Sequence, residues 1–349
     1  MPRGQAAPEA LRLIGQDALY RRAHDWLREG SGQAVLISGA KGSGKRSFAR
    51  QVAAAVLCER ASPETGEACG HCPSCRYMAA GTHPDFRAFE AEEGRKQIPV
   101  QFLRDELIAD LPLMPQIARR KIYQVNLDGV SEQGQNLLLK SLEEPPAHVL
   151  FLLTSSWPPA LLATVRSRLP EWRMAPLSPS DMRSFLRRKG LPLDRAADVT
   201  ALANGSPGRA LEILESVWFE TLLERVTELF RDLPHMRLDQ LLYPVYRGLE
   251  EEKEHWPECL CMVQAFLRDL AVVASQTRRT PCQQLLLYPS CAELYWNLVE
   301  SLRPNLRHIR NVEGVIARIQ AAAALNLNFE ISLCSLLLSL YKEFVVCQK

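Results

Sequence analysis

A glycine-rich segment, "GAKGSGKRS" at residues 39–47, has the residue types and spacing to bind phosphate. Glycines let backbone N–H groups converge on phosphate oxygens, and a lysine at the start of the following helix adds a positive charge. The pattern Gly39-x4-Gly44-Lys45, with Gly42 inside it, therefore predicts a phosphate-binding loop. A glycine-rich turn without a ligand is the alternative interpretation.

Two positions of this candidate site argue against ATP hydrolysis. A hydrolysing loop carries Ser or Thr after the lysine to bind Mg²⁺, but this chain has Arg46, and Ser47 comes one residue late. Asp128 ends an apolar run in the position of a second metal ligand. Gly129 follows it, where a hydrolysing enzyme of this type carries Glu. We therefore expect a site compatible with ATP or ADP binding but deficient in hydrolysis.

Four cysteines form a second cluster of reactive side chains. Cys58, Cys69, Cys72 and Cys75 follow the spacing x10, x2, x2, and four thiolates complete the tetrahedral shell of a structural zinc ion. An iron–sulfur cluster is the competing interpretation, because similar short gaps serve such clusters. A zinc module that binds nucleic acid would need basic and aromatic neighbours, whereas this segment mixes acids with few bases. We expect a Zn²⁺ site that stabilises a loop.

Arg168, in "ATVRSRL", is the last candidate. At the end of a helix it could enter a neighbouring subunit's nucleotide site, where an arginine stabilises phosphoryl transfer in trans. From spacing alone, a surface arginine on an amphipathic helix is the favoured interpretation.

The segments around these residues alternate between strand and helix patterns. We predict strands at 34–38, 121–128 and 148–156 and helices at 45–57, 100–111, 131–144 and 159–169. Strands that alternate with helices form a parallel sheet covered on both faces, and ligands bind at the carboxyl ends of its strands. The predicted fold class is α/β.

The later part of the chain has a different pattern. Prolines near residues 174–182 indicate a linker, a small helical unit follows to about residue 215, and the remainder is helical without strand alternation. We therefore divide the chain into domains 1–177, 178–215 and 216–349. The six remaining cysteines lie in apolar C-terminal stretches and are expected to be reduced and buried.

Composition excludes several classes of protein. A formal net charge of +2 does not indicate a strongly basic nucleic-acid binder. The first 16 residues lack the apolar core of a secretory signal, and no apolar run is long enough to span a membrane. We expect a soluble, cytoplasmic protein with no membrane partner.

Several segments, in the same order, resemble those of the AAA+ clamp-loader family of bacterial DNA polymerase III. They are "LIGQDAL", "GAKGSGKRS", "CGHCPSCRYMAAGTHPDF", "NLLLKSLEEPP", "LLATVRSRL" and "GSPGRAL", within residues 13–212. The resemblance implies a P-loop domain with a zinc module at 58–75, a helical lid domain at 178–215 and a helical oligomerisation collar at 216–349.

The resemblance also implies a role in DNA replication. Members of this family form a hetero-pentamer of ATPase subunits of the gamma/tau type, a clamp-opening delta-type subunit and a stationary subunit, and together they load a sliding clamp on primed DNA. Arg168 falls on the arginine that the stationary subunit donates to a neighbouring ATPase site, and Thr154 or Ser155 on the first sensor position. Leu169 replaces the usual Cys after the arginine, and Arg209 lies one residue after the second-sensor position, which Gly208 occupies. An active ATPase motor subunit is the alternative, against which Arg46 and Gly129 argue.

Overall fold

The computed structural model divides the chain into two compact units. The first contains the residues up to Asp181 together with Ser206–Gly208, and the second contains Met182–Gly205 and Arg209–Lys349. The structure describes residues 12–30, 32–62, 64–92, 94–95, 97–191, 196–276, 285–323 and 328–346.

The first unit is built from alternating strands and helices. In chain order these are α1 (Asp17–Glu29), β1 (Ala34–Ser38), α2 (Lys45–Leu57), α3 (Pro73–Ala80), β2 (Phe86–Phe89), α4 (Val100–Phe102), β3 (Lys121–Asn126), α5 (Glu132–Glu143), β4 (Val149–Ser155), α6 (Ala163–Arg166) and β5 (Glu171–Arg173). A π-helical segment, Leu103–Ile108, continues α4.

The five strands form one parallel sheet in the order β2-β3-β4-β1-β5. The prediction of an α/β fold with a parallel sheet is confirmed. Alternate residues of β1 pack on opposite faces: Leu36 belongs to one apolar cluster, and Val35 and Ile37 to the other. Every residue of β1 and β4 is buried, as expected for parallel strands covered on both faces.

The structure differs from the prediction in several segments. Strand β3 ends at Asn126, two residues before the predicted end, because the Asn126 side chain accepts a hydrogen bond from the Asp128 N–H (3.3 Å) and turns the chain. The helix predicted at 159–169 is reduced to α6, flanked by a 3₁₀ turn at Pro158–Ala160. Strands β2 and β5 were not predicted, because four and three residues are too short to form a recognisable apolar run.

The second unit is helical throughout its described residues, as predicted. Its helices are α7 (Pro179–Arg188), α8 (Ala196–Ala203), α9 (Pro207–Leu214), α10 (Trp218–Asp232), α11 (Leu238–Gln240), α12 (Tyr246–Glu250), α13 (Trp256–Ala274), α14 (Ala292–Leu302), α15 (Leu306–Ala323) and α16 (Phe329–Tyr341). The first residues of α7 and of α9 belong to the first unit. An aromatic cluster of Phe230, Phe266, Tyr288 and Tyr295 packs in its interior. No described helix is long and apolar enough to cross a membrane.

The scattered cysteines are only partly as expected. Cys259 and Cys291 are buried and Cys334 is half-buried, but Cys261 is exposed on α13. Cys282 and Cys347 lie outside the described residues.

Candidate functional site

The glycine loop connects β1 to α2 and depends on glycine at three positions. Gly42 and Gly44 have φ angles of 77° and 94°, which L-residues rarely adopt. A Cβ on Gly39 would lie 2.9 Å from Ser43 Oγ and 3.0 Å from Met174 Cβ. The backbone therefore has the tight curvature of a phosphate-binding loop, at the carboxyl end of β1.

The Lys45 ammonium closes this loop on itself. Its Nζ donates to the carbonyl oxygens of Gly39 and Ala40, both at 2.8 Å, and to Ser156 Oγ at 3.0 Å. An ammonium has three donors, so these three contacts use all of them. Burial lowers the pKa of Lys45, and the nearby Asp128 carboxylate opposes that shift. A phosphate would have to displace these internal contacts.

Arg46 occupies the position of the expected Mg²⁺-binding hydroxyl and is already paired. Its guanidinium lies 2.8 Å from the Glu90 carboxylate, directly after β2. Ser47 is exposed on the next position of α2.

Asp128 is held by the end of β4. Its carboxylate accepts hydrogen bonds from Ser155 Oγ (2.8 Å) and from the Ser156 N–H (2.8 Å). Thr154 and Ser155 are fully buried, and Thr154 pairs in register with Ile37 of β1. The structure thus brings Lys45, Asp128 and the first-sensor candidates together through Ser156, which sequence reasoning missed because no motif singles it out.

Gly129 faces an apolar surface. A Cβ there would lie 3.4 Å from Ala91 Cβ and 3.6 Å from Ile98 Cγ1, and the residue is buried. The side chain of a glutamate at this position would begin in contact with these buried apolar groups. Burying its carboxylate there would cost free energy.

The second-sensor segment has two distinct environments. Within the first unit, the Gly208 N–H donates to the Gly42 carbonyl (2.8 Å), and a Cβ on Gly208 would lie 2.8 Å from Gly42 Cα. Only glycine fits without a shift of the backbone. Arg209 belongs to the second unit and pairs with Glu258 of that same unit at 2.7 Å.

Arg168 lies away from the glycine loop, after α6. Its Nη1 donates to the Thr164 carbonyl (2.7 Å), and its Nη2 pairs with the Glu143 carboxylate at the end of α5. Its side chain is 37% exposed. Leu169, in place of the family's cysteine, is buried in the core cluster on one face of the sheet.

The four cysteines come together as predicted from their spacing. Their sulfur atoms all lie within 4.8 Å of one another, and the Cys58–Cys72 and Cys69–Cys75 pairs are each 3.9 Å apart. Four sulfurs at about 2.3 Å from a tetrahedral zinc ion would be about 3.8 Å apart. The set therefore fits a closed Cys₄ metal site.

Backbone N–H groups donate to two sulfur atoms of this cluster. Cys58 Sγ accepts from the Cys69 N–H (3.2 Å), and Cys72 Sγ from the Cys75 N–H (3.4 Å). The backbone N–H of His71 lowers the pKa of Cys69 to about 6. The His71 ring contacts the Cys69 carbonyl instead of joining the sulfur cluster.

The "GTHPD" segment after α3, residues 81–85, forms hydrogen bonds with α3 of the cysteine module and with the loop before β3. The His83 ring hydrogen-bonds Ser74 Oγ at 2.6 Å, and its other nitrogen accepts from the Asp85 N–H. The Asp85 carboxylate, 1% exposed, accepts from the backbone N–H groups of residues 116, 117 and 118. This motif is one of the segments that resemble the clamp-loader family, but the sequence alone did not predict these contacts.

The cysteine loop also holds the segment before α1. Arg12 forms an ion pair with Glu67 and stacks over the Tyr20 ring. Leu13 then donates its N–H to Tyr20 Oη (3.0 Å) and would contact a Cβ on Gly44 at 3.2 Å. The cysteine loop therefore contacts the segment before α1, which lies beside the glycine loop.

A buried ion pair lies at the start of β3. Lys121 Nζ is 2.9 Å from Asp110 Oδ2, which also accepts from Tyr123 Oη at 2.7 Å. Burial alone would raise the pKa of Asp110, but the hydrogen bonds from Lys121 and Tyr123 outweigh it and hold that pKa below its ordinary value.

Comparisons with known proteins agree with the geometry of the first unit. Residues 16–178 match the family model described as "DNA polymerase III, delta subunit". The "DNA polymerase III subunit delta'" of Pseudomonas aeruginosa is 37% identical over 178 residues, 50% of this chain and 53% of the relative. The "DNA polymerase III subunit tau" of Salmonella typhimurium is 36% identical over 176 residues, 50% of this chain but 26% of the relative.

Among solved structures, a DNA polymerase III gamma subunit-related protein from Thermotoga maritima aligns over 93% of this chain and 99% of its own. Its identity of 17% and TM-score of 0.40 are too low to establish a common fold. The chain spans about half the length of the delta' relative it matches. Its first half resembles the delta' subunit of the AAA+ clamp-loader family.

Proposed function

We propose that this protein is a delta'-like subunit of a DNA polymerase III clamp loader. In this role it helps to place a sliding clamp on primed DNA as a largely non-hydrolysing scaffold, and it donates Arg168 to the site of a neighbouring ATPase subunit. Its partners are ATPase subunits of the gamma/tau type and a clamp-opening delta-type subunit in a hetero-pentamer. The resemblance of residues 16–178 to delta' relatives supports this assignment.

One observation carries the non-hydrolysing part of the proposal. The two positions that a hydrolysing site needs most are occupied by Arg46, which is paired with Glu90, and by Gly129, which is buried against Ala91. Neither provides a hydroxyl for Mg²⁺ or a carboxylate for the attacking water. Lys45 retains the residue type for phosphate binding, so ATP or ADP binding remains compatible with the loop.

The remaining site residues have supporting roles in this proposal. Gly39, Gly42, Gly44 and Lys45 would surround a bound phosphate. Asp128, Thr154 and Ser155 would line the neighbouring strand ends. The four cysteines would hold one structural Zn²⁺, which ties the loop at 58–75 to α3.

The helical part of the chain would supply the assembly contacts. Residues 178–215 would form the lid domain and residues 216–349 the collar through which the subunits associate. The all-helical character of the described second unit is consistent with this division.

The proposal is tested by reconstituting the loader with the purified chain. The chain alone should hydrolyse ATP negligibly, whereas Arg168→Ala should lower the DNA-stimulated ATPase of the complete loader. Arg166, an exposed arginine two residues before Arg168, provides the matched control, and Arg166→Ala should leave that rate unchanged. Turnover by the isolated chain at a rate typical of motor subunits would refute the scaffold role.

An active motor subunit is the second candidate, favoured by the similarity to the tau subunit. The two candidate functions predict different effects of replacing Lys45. Replacing this lysine with Ala would abolish loader activity if the chain were a motor, but it should change that activity only modestly if the chain is a scaffold.

A further inference from the structure

We infer that Glu143 is a positioning residue for Arg168, an inference that rests on the proposed function of that arginine in trans. The Glu143 carboxylate contacts Arg168 Nη2, while Nη1 donates to the Thr164 carbonyl at 2.7 Å and lies 3.4 Å from Ser167 Oγ. The guanidinium is thus held on two sides by its own chain.

The backbone around the arginine is fixed by the core. Val165 and Leu169, on either side of Arg168, are 1% and 7% exposed and belong to the same apolar cluster. The Cα position of Arg168 is therefore fixed by packing, and the remaining conformational freedom is that of its long side chain. Glu143 restricts that freedom.

The held guanidinium keeps donors for an external anion. It has five N–H groups in a planar fork. The contacts with Thr164, Ser167 and Glu143 use three of them, so Nε–H and one Nη2–H have no acceptor among the described residues. These donors remain available to the oxygens of an external phosphate.

The location of Glu143 in its helix supports a specific role. It is the last residue of α5, where the partial negative charge of the helix end disfavours a carboxylate. Glu144, which follows it, adds a second negative charge. An acid at this end is stabilised by a cation beside it, and Arg168 supplies that cation.

Glu143 therefore reduces the conformational freedom that Arg168 loses on engaging a neighbouring phosphate. Immobilising one flexible side chain beforehand corresponds to an effect of about two- to tenfold on the step that needs it. Glutamine retains the acceptor oxygen, so Glu143→Gln should keep most of this effect, whereas Glu143→Ala should lose it.

The first measurement uses the isolated full-length chain. We expect ¹⁵N relaxation of the Arg168 Nε–H group, assigned by its loss in Arg168→Lys, to report a restricted side chain in the native protein and in Glu143→Gln. Glu143→Ala should make it flexible. Equal mobility in the native chain and Glu143→Ala would overturn the inference, whatever the fate of the proposed function.

The second measurement is the DNA-stimulated ATPase of the reconstituted loader. Glu143→Ala should lower it about two- to tenfold, Glu143→Gln should restore it, and Glu143→Ala should have no further effect when combined with Arg168→Ala. Glu144→Ala is the matched control and should retain the native rate. Additive losses in the double variant would refute the inference about Glu143 but would leave the role of Arg168 intact. If Arg168→Ala had no effect, the proposed function would be refuted, and with it the trans role that Glu143 would serve.

Discussion

Replacing Asp85 should destabilise the first unit strongly, although this residue is far from the candidate nucleotide contacts. Its carboxylate accepts three backbone N–H groups: Gln116 at 2.6 Å, Ile117 at 2.9 Å and Ala118 at 2.8 Å. Asp85→Ala would remove every one of these acceptors and free the loop that leads into β3.

The magnitude follows from the number and exposure of these hydrogen bonds. A hydrogen bond to a charged group contributes about 1.5–3 kcal/mol, but water can replace part of it where the donor residue is exposed. Residues 116 and 117 are exposed and residue 118 is half-buried. We therefore expect Asp85→Ala to lower the free energy of unfolding by about 2–4 kcal/mol, which for a unit of this size lowers the melting temperature by roughly 4–16 °C.

Asp85→Asn provides the sharper comparison. An amide has one acceptor oxygen, so its nitrogen must face at least one of the three N–H donors. We expect Asn to recover less than half of the loss caused by Ala, as measured by calorimetric melting. Asp105 provides the control, because among the described residues its carboxylate accepts only from the exposed Gln101 side chain. Asp105→Asn should melt within about 1 °C of the native chain. Native-like melting of both Asp85 variants would show that these backbone contacts do not stabilise the unit.

Two further predictions concern the metal and the buried ion pair. Protein purified under reducing, chelator-free conditions should contain about one zinc ion per chain, as measured by metal analysis. Cys75→Ser should lose most of the zinc, whereas Cys261→Ser should retain it. Iron in place of zinc would identify the competing iron–sulfur cluster. Because the folded-state pKa of Asp110 lies below its unfolded value of about 3.9, its contribution to stability is present above that pH and is lost as the pH falls through the lower folded pKa. The stability difference between the native chain and Asp110→Asn should therefore be constant from pH 7 to pH 5 and shrink on further acidification, as measured by urea unfolding; a difference that persists at the lowest pH would contradict this account.

Local sequence was sufficient for the elements with long apolar or periodic patterns. Strand β1 and helix α2 have the predicted bounds, because a five-residue apolar run and a glycine loop that opens a helix are strong local signals. The cysteine cluster was equally accessible, since two-residue gaps bring sulfurs within reach of one metal ion.

Tertiary contacts determined what local patterns did not show. The edge strands β2 and β5 are too short to be recognised from their own residues, and their pairing with β3 and β1 defines them. Lys121, which follows Arg119 and Arg120 in the sequence, is only 4% exposed, and Asp110 provides its counter-charge.

For the candidate site, too, the sequence determined some properties and the tertiary structure determined others. The sequence alone identified which groups are missing for hydrolysis, because the identity of a side chain determines whether it can bind Mg²⁺ or polarise water. Only the folded chain shows that Lys45 donates to Gly39, Ala40 and Ser156 and that Glu143 contacts Arg168. The contacts of Lys45 with Ser156 and of Glu143 with Arg168 join residues from different segments of the chain, and their geometry follows from the packing of strands and helices that no short segment encodes.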